Sequence, residues 1–268
     1  MPRRARLDTE LVRRGLARSR EQAAELVAAG RVLVGGSPAT KAATAVLPDD
    51  PVLLAGPAGP DDYASRGGRK LAGALDAWGA GGPEVAARRC LDAGASTGGF
   101  TDVLLRRGAR QVVAVDVGYG QLAWSLRADP RVVVVDRTNV RDLAPVTIGG
   151  TVALVVADLS FISLTVVLPA LVRCAEHRAD FVLLVKPQFE VGRARLGRGG
   201  VVRDPALRVG AVTSVATAAA LAGLGCRGVM ASPLPGPAGN VEYFLWLRSD
   251  APPLDPADVH RAVADGPS

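Results

Sequence analysis

The chain has 268 residues, 49% hydrophobic and 22% charged, which is enough for one substantial core and a small second one and excludes a disordered chain. Its 32 Lys and Arg against 26 Asp and Glu leave +6, and residues 1–41 alone carry nine basic residues against Asp8, Glu10, Glu21 and Glu25, so one end of the chain suits a polyanionic partner. Cys90, Cys174 and Cys226 form no C-x-x-C pair and only His177 and His260 are present, which argues against disulfides and a metal site and for a reducing, cytoplasmic setting.

The first element is a helix over residues 7–18, with Leu7, Leu11, Val12 and Leu16 at helical spacing. The preceding Arg3, Arg4 and Arg6 lead into it without the apolar run of a signal peptide. Ser19-Arg20-Glu21-Gln22 opens a second helix that runs to Gly30. Residues 31–34 have strand character, Gly35-Gly36 supplies a tight turn, and Val46 and Val52-Leu53-Leu54 offer returning strands. The Gly/Pro-rich run 55–60 reads as a linker, which divides the chain into a small module at 1–60 and a larger one at 61–268. Leu11, Gly15-Leu16, Ser19-Arg20, Ala23, Leu26, Gly30 and Val32-Leu33-Val34-Gly35-Gly36 together resemble the S4 RNA-binding domain. That resemblance implies that Arg4, Arg6, Arg18, Arg20 and Lys41 contact RNA phosphates, with shape as the main readout.

From Arg88 apolar strands alternate with helical stretches, at residues 88–93, 111–117, 131–136, 151–158, 180–186, 227–232 and 242–248. Alternation of this kind predicts an α/β fold, a seven-stranded parallel sheet with helices on both faces and ligands at the carboxyl ends of the strands. The apolar run 151–172 is long enough to suggest a membrane span, but Asp158, Ser160 and Pro169 break it into a buried strand, a loop and a helix.

The first of these strands runs into Asp92-Ala93-Gly94-Ala95-Ser96-Thr97-Gly98-Gly99-Phe100, and the second ends in Asp116, an acceptor suited to ribose hydroxyls. The loop lacks the third glycine of a dinucleotide fingerprint and carries Asp92 where a pyrophosphate would be repelled. A phosphate-free ligand with a positive centre, S-adenosyl-L-methionine, fits better.

Only three of the 32 basic residues are lysines, Lys41, Lys70 and Lys186. An amine can be neutralised by its surroundings and then accept a proton, whereas a guanidinium stays charged. Lys186 and Asp158 fall at strand ends, Glu242 opens the last strand after the stiff run Pro233, Pro235, Pro237, and Lys70 lies on a helical stretch before the first strand. Ser65-Arg66-Gly67-Gly68-Arg69-Lys70, the glycine loop, Asp116-Val117-Gly118-Tyr119-Gly120, Asp158-Leu159-Ser160-Phe161, Lys186-Pro187-Gln188-Phe189-Glu190 and Gly239-Asn240-Val241-Glu242-Tyr243, in that order, resemble the TlyA, or hemolysin A, family.

The resemblance implies an S4 domain joined to a Rossmann-like, FtsJ-type methyltransferase, acting on ribosomal RNA or ribosomal subunits; a monomer is expected, though the sequence leaves the oligomeric state open. It implies 2'-O-methylation of cytidine in ribosomal RNA, in 16S and 23S for members with long termini, which this chain resembles, and in 23S alone for the short-terminus form, with Lys70, Asp158, Lys186 and Glu242 as a Lys-Asp-Lys-Glu set. Cofactor contacts are expected from Asp92, Gly94, Ser96, Thr97, Gly98, Gly99, Phe100, Asp116, Asn139 and Asp158, and further RNA contacts from Arg66 and Arg69. In the corresponding mechanism Lys186 is the general base. Lys70 disfavours charge on it by repulsion, Asp158 positions the amine and Glu242 orients the lysine pair. Arg193, Arg195, Arg198 and Arg203 decorate a glycine-containing loop suited to an RNA backbone.

Three other functions compete. Amino-group base methylation would place an Asn/Asp-Pro-Pro-aromatic motif where Asp158-Leu159-Ser160-Phe161 stands, and carbon-5 chemistry needs a cysteine at a strand end in the cleft. A pore-forming hemolysin needs an exposed amphipathic or spanning segment. A non-catalytic ribosome-binding factor would keep these residues without methyl transfer.

Overall fold

A computed structural model describes residues 4–54 and 62–266; the expected linker at 55–60 lies outside them. The chain divides into two units, Met1–Ser65 and Arg66–Ser268.

In the first unit β1 (Ala5–Arg6) leads into α1 (Leu7–Arg13), followed by α2 (Arg20–Ala28), β2 (Val32–Val34), β3 (Ser37–Pro38), β4 (Ala45–Val46) and β5 (Val52–Leu54). The helix expected to reach residue 18 stops at Arg13. Gly15 takes a left-handed φ of 70°, which lets its own N–H return to Val12 and the N–H of Leu16 return to Leu11, closing the carbonyl end. Ser19 caps α2 by accepting from the Gln22 N–H, and Gly30 ends that helix in the same way as Gly15 ends α1. Gly35 and Gly36, both with positive φ, turn β2 back onto β3, and β5 pairs with the other edge of β2. Leu7, Leu11, Ala23, Leu26, Val27, Val32, Val46 and Val52 fill the core of this unit.

The second unit comprises α3 (Arg66–Trp78), β6 (Arg89–Ala93), α4 (Gly99–Arg106), β7 (Gln111–Val115), α5 (Trp124–Arg127), β8 (Val132–Val135), α6 (Pro145–Ile148), β9 (Val152–Ala157), α7 (Leu164–Arg173), β10 (Ala175–Val185), α8 (Pro187–Glu190), α9 (Pro205–Leu221), β11 (Gly225–Ala231), β12 (Tyr243–Arg248) and α10 (Pro256–Ala264). The strands form one sheet in the order β11-β12-β10-β9-β6-β7-β8. All pairs from β10 to β8 are parallel, but β12 is antiparallel to both of its neighbours, so the all-parallel expectation is corrected at that edge. The segment 232–242 between β11 and β12 holds no helix, and without a crossover the chain can only return antiparallel.

Alternation along the strands sorts the two faces. Leu91, Val155, Leu183, Tyr243 and Leu245 pack with residues of α7, α9 and α10. The intervening residues face α3 and α4, where Phe244 stacks on Phe100 at 6.2 Å and Trp246 meets Trp78 at 5.6 Å. The insertion of β12 has a consequence for the strand ends. Because it runs against the others, its first residue pairs with the last of β10, Tyr243 with Val185. Glu242 and Lys186 therefore stand next to each other in register at the carboxyl edge of the parallel strands.

Candidate active site

Extending the alternation one residue past each strand end puts Asp158 on the face of Val156, Lys186 on that of Leu184 and Glu242 on that of Phe244, all toward α3. Lys70 lies among the buried positions of α3, beside Leu71, Ala74 and Leu75. It donates from Nζ to Oε2 of Glu242 at 2.6 Å, and both side chains are almost wholly buried. Lys186 forms the second pair, with Nζ 2.6 Å from Oδ1 of Asp158. This pair is more open, with Asp158 about one-fifth exposed. The structure thus brings the four predicted residues to one edge as two separate lysine–carboxylate pairs.

Lys186 also donates to Oγ of Ser160 at 2.9 Å. The backbone turns sharply directly after this residue: Phe161 has a φ of 65°, rare for an aromatic side chain, and its ring is 92% exposed, tilted against Phe189 at 5.1 Å. The loop is held from below, with the Asp158 N–H bonded to Ala93. Glu190 of α8 accepts from Ser163 Oγ at 2.5 Å and from the Leu164 N–H at 2.9 Å. Burial raises the Glu190 carboxyl above the usual range.

The glycine loop runs between β6 and α4. Gly94 and Gly98 have φ of 88° and 99°; a Cβ on Gly94 would stand 2.6 Å from the Asp158 carbonyl, and one on Gly98 would collide with Leu122 and Leu126. Only glycine fits either position. Asp116 braces this loop, accepting from the Ser96 N–H at 2.8 Å and the Gly118 N–H at 2.7 Å. The Thr97 carbonyl accepts from Ala123, Gly99 begins α4, and Phe100 is buried against Phe244. Asn139 caps a short turn by accepting from the Arg141 N–H. Asp92 has no exposed surface; Oδ2 accepts from Thr101 Oγ1 at 2.6 Å while Oδ1 is buried without a hydrogen-bond partner. Burial, reinforced by the Asp158 charge, pushes its carboxyl up to about 7.

Glu242 is framed by the stiff proline-bearing loop that precedes it. A Cβ on Gly236 would lie 2.6 Å from Glu242 Oε1. Asn240, 2% exposed, accepts from the Val202 N–H and donates to the Gly200 carbonyl, tying the segment before β12 to the arginine-bearing loop. Arg193, Arg195 and Arg203 of that loop are exposed; the side chain of Arg198 lies outside the described residues. Arg66 donates to the Pro235 carbonyl, and Arg69 is exposed on α3.

In the first unit Arg4, Arg6, Arg18, Arg20 and Lys41 are all exposed. Arg6 and Arg20 converge on the buried Asp8 at 2.8 and 3.1 Å, and their hydrogen bonds hold its carboxyl far below the usual range. Arg18 donates to the Tyr63 carbonyl. Arg13 and Arg14, which the sequence did not single out, clamp the buried Glu10 and lower its carboxyl to about 2.

A model of the FtsJ-like methyltransferase family matches residues 63–249, and one of the S4 domain matches residues 5–52. The chain is 62% identical, over the full length of both sequences, to the 16S/23S rRNA (cytidine-2'-O)-methyltransferase TlyA of Mycobacterium tuberculosis. It is 36% identical to Hemolysin A of Brachyspira hyodysenteriae across 89% of this chain and 98% of that one. A solved structure of a hemolysin candidate from Streptococcus thermophilus superposes with a TM-score of 0.76 at 37% identity, covering 99% of this chain and 96% of the other. Among the described residues no helix is long and apolar enough to cross a membrane.

Proposed function

The chain belongs to the TlyA family of FtsJ-like methyltransferases with an S4 domain, and from that premise we propose that it transfers the methyl group of S-adenosyl-L-methionine to the 2'-hydroxyl of cytidine in 16S and 23S ribosomal RNA. The observation that carries this reading is the pairing of Lys186 with Asp158 at the carboxyl edge of the sheet, beside the buried Lys70–Glu242 pair.

A ribose hydroxyl is a poor nucleophile until its proton is removed as the new bond forms. Lys186 is the less deeply buried amine of the site, its side chain 11% exposed against 6% for Lys70, and in its neutral form it takes the 2'-oxygen's proton onto Nζ. Asp158 holds that amine in place. Lys70 cannot turn toward the substrate without leaving Glu242 as a bare buried charge; its role is to fix one edge of the site and to contribute positive potential where negative charge develops on the 2'-oxygen. The exposed ring of Phe161 gives a target base a surface to stack on next to the amine.

The glycine loop suits the cofactor chemically. It carries no lysine or arginine, leaves Gly94 half-buried and Ser96 exposed, and stands over a buried acid, Asp92, as a ligand bearing a cationic sulfur and an ammonium requires. Gly94, Ser96, Thr97, Gly98, Gly99, Phe100, Asp116, Asn139 and Asp158, with Asp92 beneath, would form its site. Bound there, the cofactor supplies a methyl group on positively charged sulfur. Arg4, Arg6, Arg18, Arg20 and Lys41 of the small module, with Arg66 and Arg69 of α3, hold the RNA backbone. The domains divide at 1–60 and 61–268 in this reading.

The test is a map of 2'-O-methyl positions on ribosomal RNA and isolated subunits incubated with purified protein and cofactor. New marks confined to cytidine riboses are expected. Methylation of a base, or of none of these substrates, would overturn the reading.

A further inference from the structure

The two contacts of the Lys186 amine differ in kind. Asp158 Oδ1 is nearer, at 2.6 Å, yet it has no partner in hydrogen-bonding alignment, so its hold on the amine is Coulombic and weakly directional. Ser160 Oγ, at 2.9 Å, is aligned as a hydrogen bond. A neutral amine has two N–H groups and one lone pair at the corners of a tetrahedron around Nζ. An ion pair alone leaves the group free to spin about the Cε–Nζ bond, and the lone pair then points anywhere on a cone. A directional acceptor removes that freedom: with one N–H on Ser160 and the second toward Asp158, a single corner remains for the lone pair.

We propose that Ser160 is a positioning residue for proton transfer, aiming the Lys186 lone pair at the ribose hydroxyl. The inference rests on the reading of Lys186 as general base. Three further features fit it. Asp158 and Ser160 sit two residues apart on one loop, so a single backbone segment supplies both contacts. The left-handed turn at Phe161 immediately follows, and strained backbone of this kind persists only where the surroundings impose it. Ser160 is itself exposed, so the segment that supplies this contact borders solvent, as a residue next to an arriving substrate must.

The experiment uses the full-length chain with Ser160→Ala, Ser160→Thr and Lys186→Ala, read by single-turnover methyl transfer to ribosomal RNA, which isolates the chemical step from product release. Ser160→Ala is expected to slow that step about tenfold while leaving cofactor and RNA dissociation constants unchanged, and Ser160→Thr, which keeps the hydroxyl, to recover most of the rate. A second readout needs no turnover. With only three lysines in the chain, side-chain signals of isotope-labelled lysine can be assigned one by one, and in Ser160→Ala the amine protons of Lys186 should exchange with water several-fold faster while those of Lys70 do not change. If Lys186→Ala is inactive but Ser160→Ala transfers at the parental rate with unchanged exchange, the Ser160 role falls and the general-base reading stands. If Lys186→Ala retains transfer, both fall. A Ser160→Ala defect confined to RNA affinity, or one that Ser160→Thr fails to recover, would make Ser160 a binding residue and also overturn the inference.

Discussion

The small module and the site edge of the larger unit handle buried carboxylates in opposite ways. In the small module Asp8 and Glu10, with side chains 5% and 3% exposed, are each gripped by arginines that remain half or more exposed at one end, Arg6 and Arg20 on the first and Arg13 on the second. At the site edge of the larger unit Glu242 and Asp158 each meet a buried lysine and Asp92 meets Thr101 and no cation, whereas Asp180, at the other end of β10, is held by Arg88 as the small module's acids are held. Arginine suits the first arrangement because its charge is permanent: the buried acid works as an anchor that holds an exposed guanidinium in place, as the proposed phosphate contacts would require. Lysine suits the second because an amine can give up its charge. One region displays positive charge; the other stores groups whose charge can change.

The largest effect expected from this contrast lies in the buried pair. Replacing Lys70 by Met strands Glu242 without a partner and should cost roughly 3–5 kcal/mol, measured by denaturant unfolding. The double variant Lys70→Met, Glu242→Leu should regain most of that stability without regaining methyl transfer. Equal losses from Lys70→Met and Lys186→Met would erase the distinction between the closed and the open pair.

A smaller effect concerns pH, with opposite signs in the two units. Asp92 keeps its proton up to about 7 in the folded protein, whereas an unfolded chain releases it in the ordinary carboxylate range. Between those limits the folded state binds more protons, so stability falls as pH rises. Asp92→Asn should flatten that slope, a relative gain on the order of a few kcal/mol between pH 4 and pH 8, read from unfolding curves, while weakening cofactor binding. Glu10 behaves in reverse. Its carboxyl is lowered to about 2, so its contribution is complete above the ordinary range and is lost as pH falls toward 2. Hydrogen exchange in α1 of the full chain should accelerate below about pH 4 in the parent, and Glu10→Gln should remove that acid dependence.

Smaller again are the anchors. Asp8→Asn should cost about 1 kcal/mol, since its arginine partners are solvated, but should weaken RNA binding several-fold by freeing Arg6 and Arg20. Lys41→Ala should lower RNA affinity a few-fold and make the salt dependence shallower by about one unit of slope. Unchanged RNA binding in Asp8→Asn would show that the anchored arginines are structural.

Much of this layout was legible in the sequence because it follows from short-range rules. Apolar runs located all seven strands of the large sheet, and Ser19 and Gly30 marked the ends of α2. The antiparallel course of β12 was missed, although the lack of helical periodicity between residues 232 and 242 is a signal that could have revealed it. The helix expected over 7–18 was too long because Leu16 keeps the apolar period across the left-handed Gly15. Strand ends pointed to Asp158, Lys186 and Glu242, but which lysine meets which acid depends on the register of β12 against β10 and on the reach from α3, neither of which a linear pattern encodes. Ser160 was hidden for the same reason: a lone serine two residues after an aspartate is unremarkable until the chain turns at Phe161.

The most direct test of the central claim is single-turnover methyl transfer by Lys186→Arg, with cofactor and RNA binding measured on the same preparation. Arginine keeps the positive charge opposite Asp158 but cannot accept a proton, so binding should persist while transfer falls by at least a hundredfold. Transfer within a few-fold of the parent would show that no base is needed at position 186 and would contradict the account.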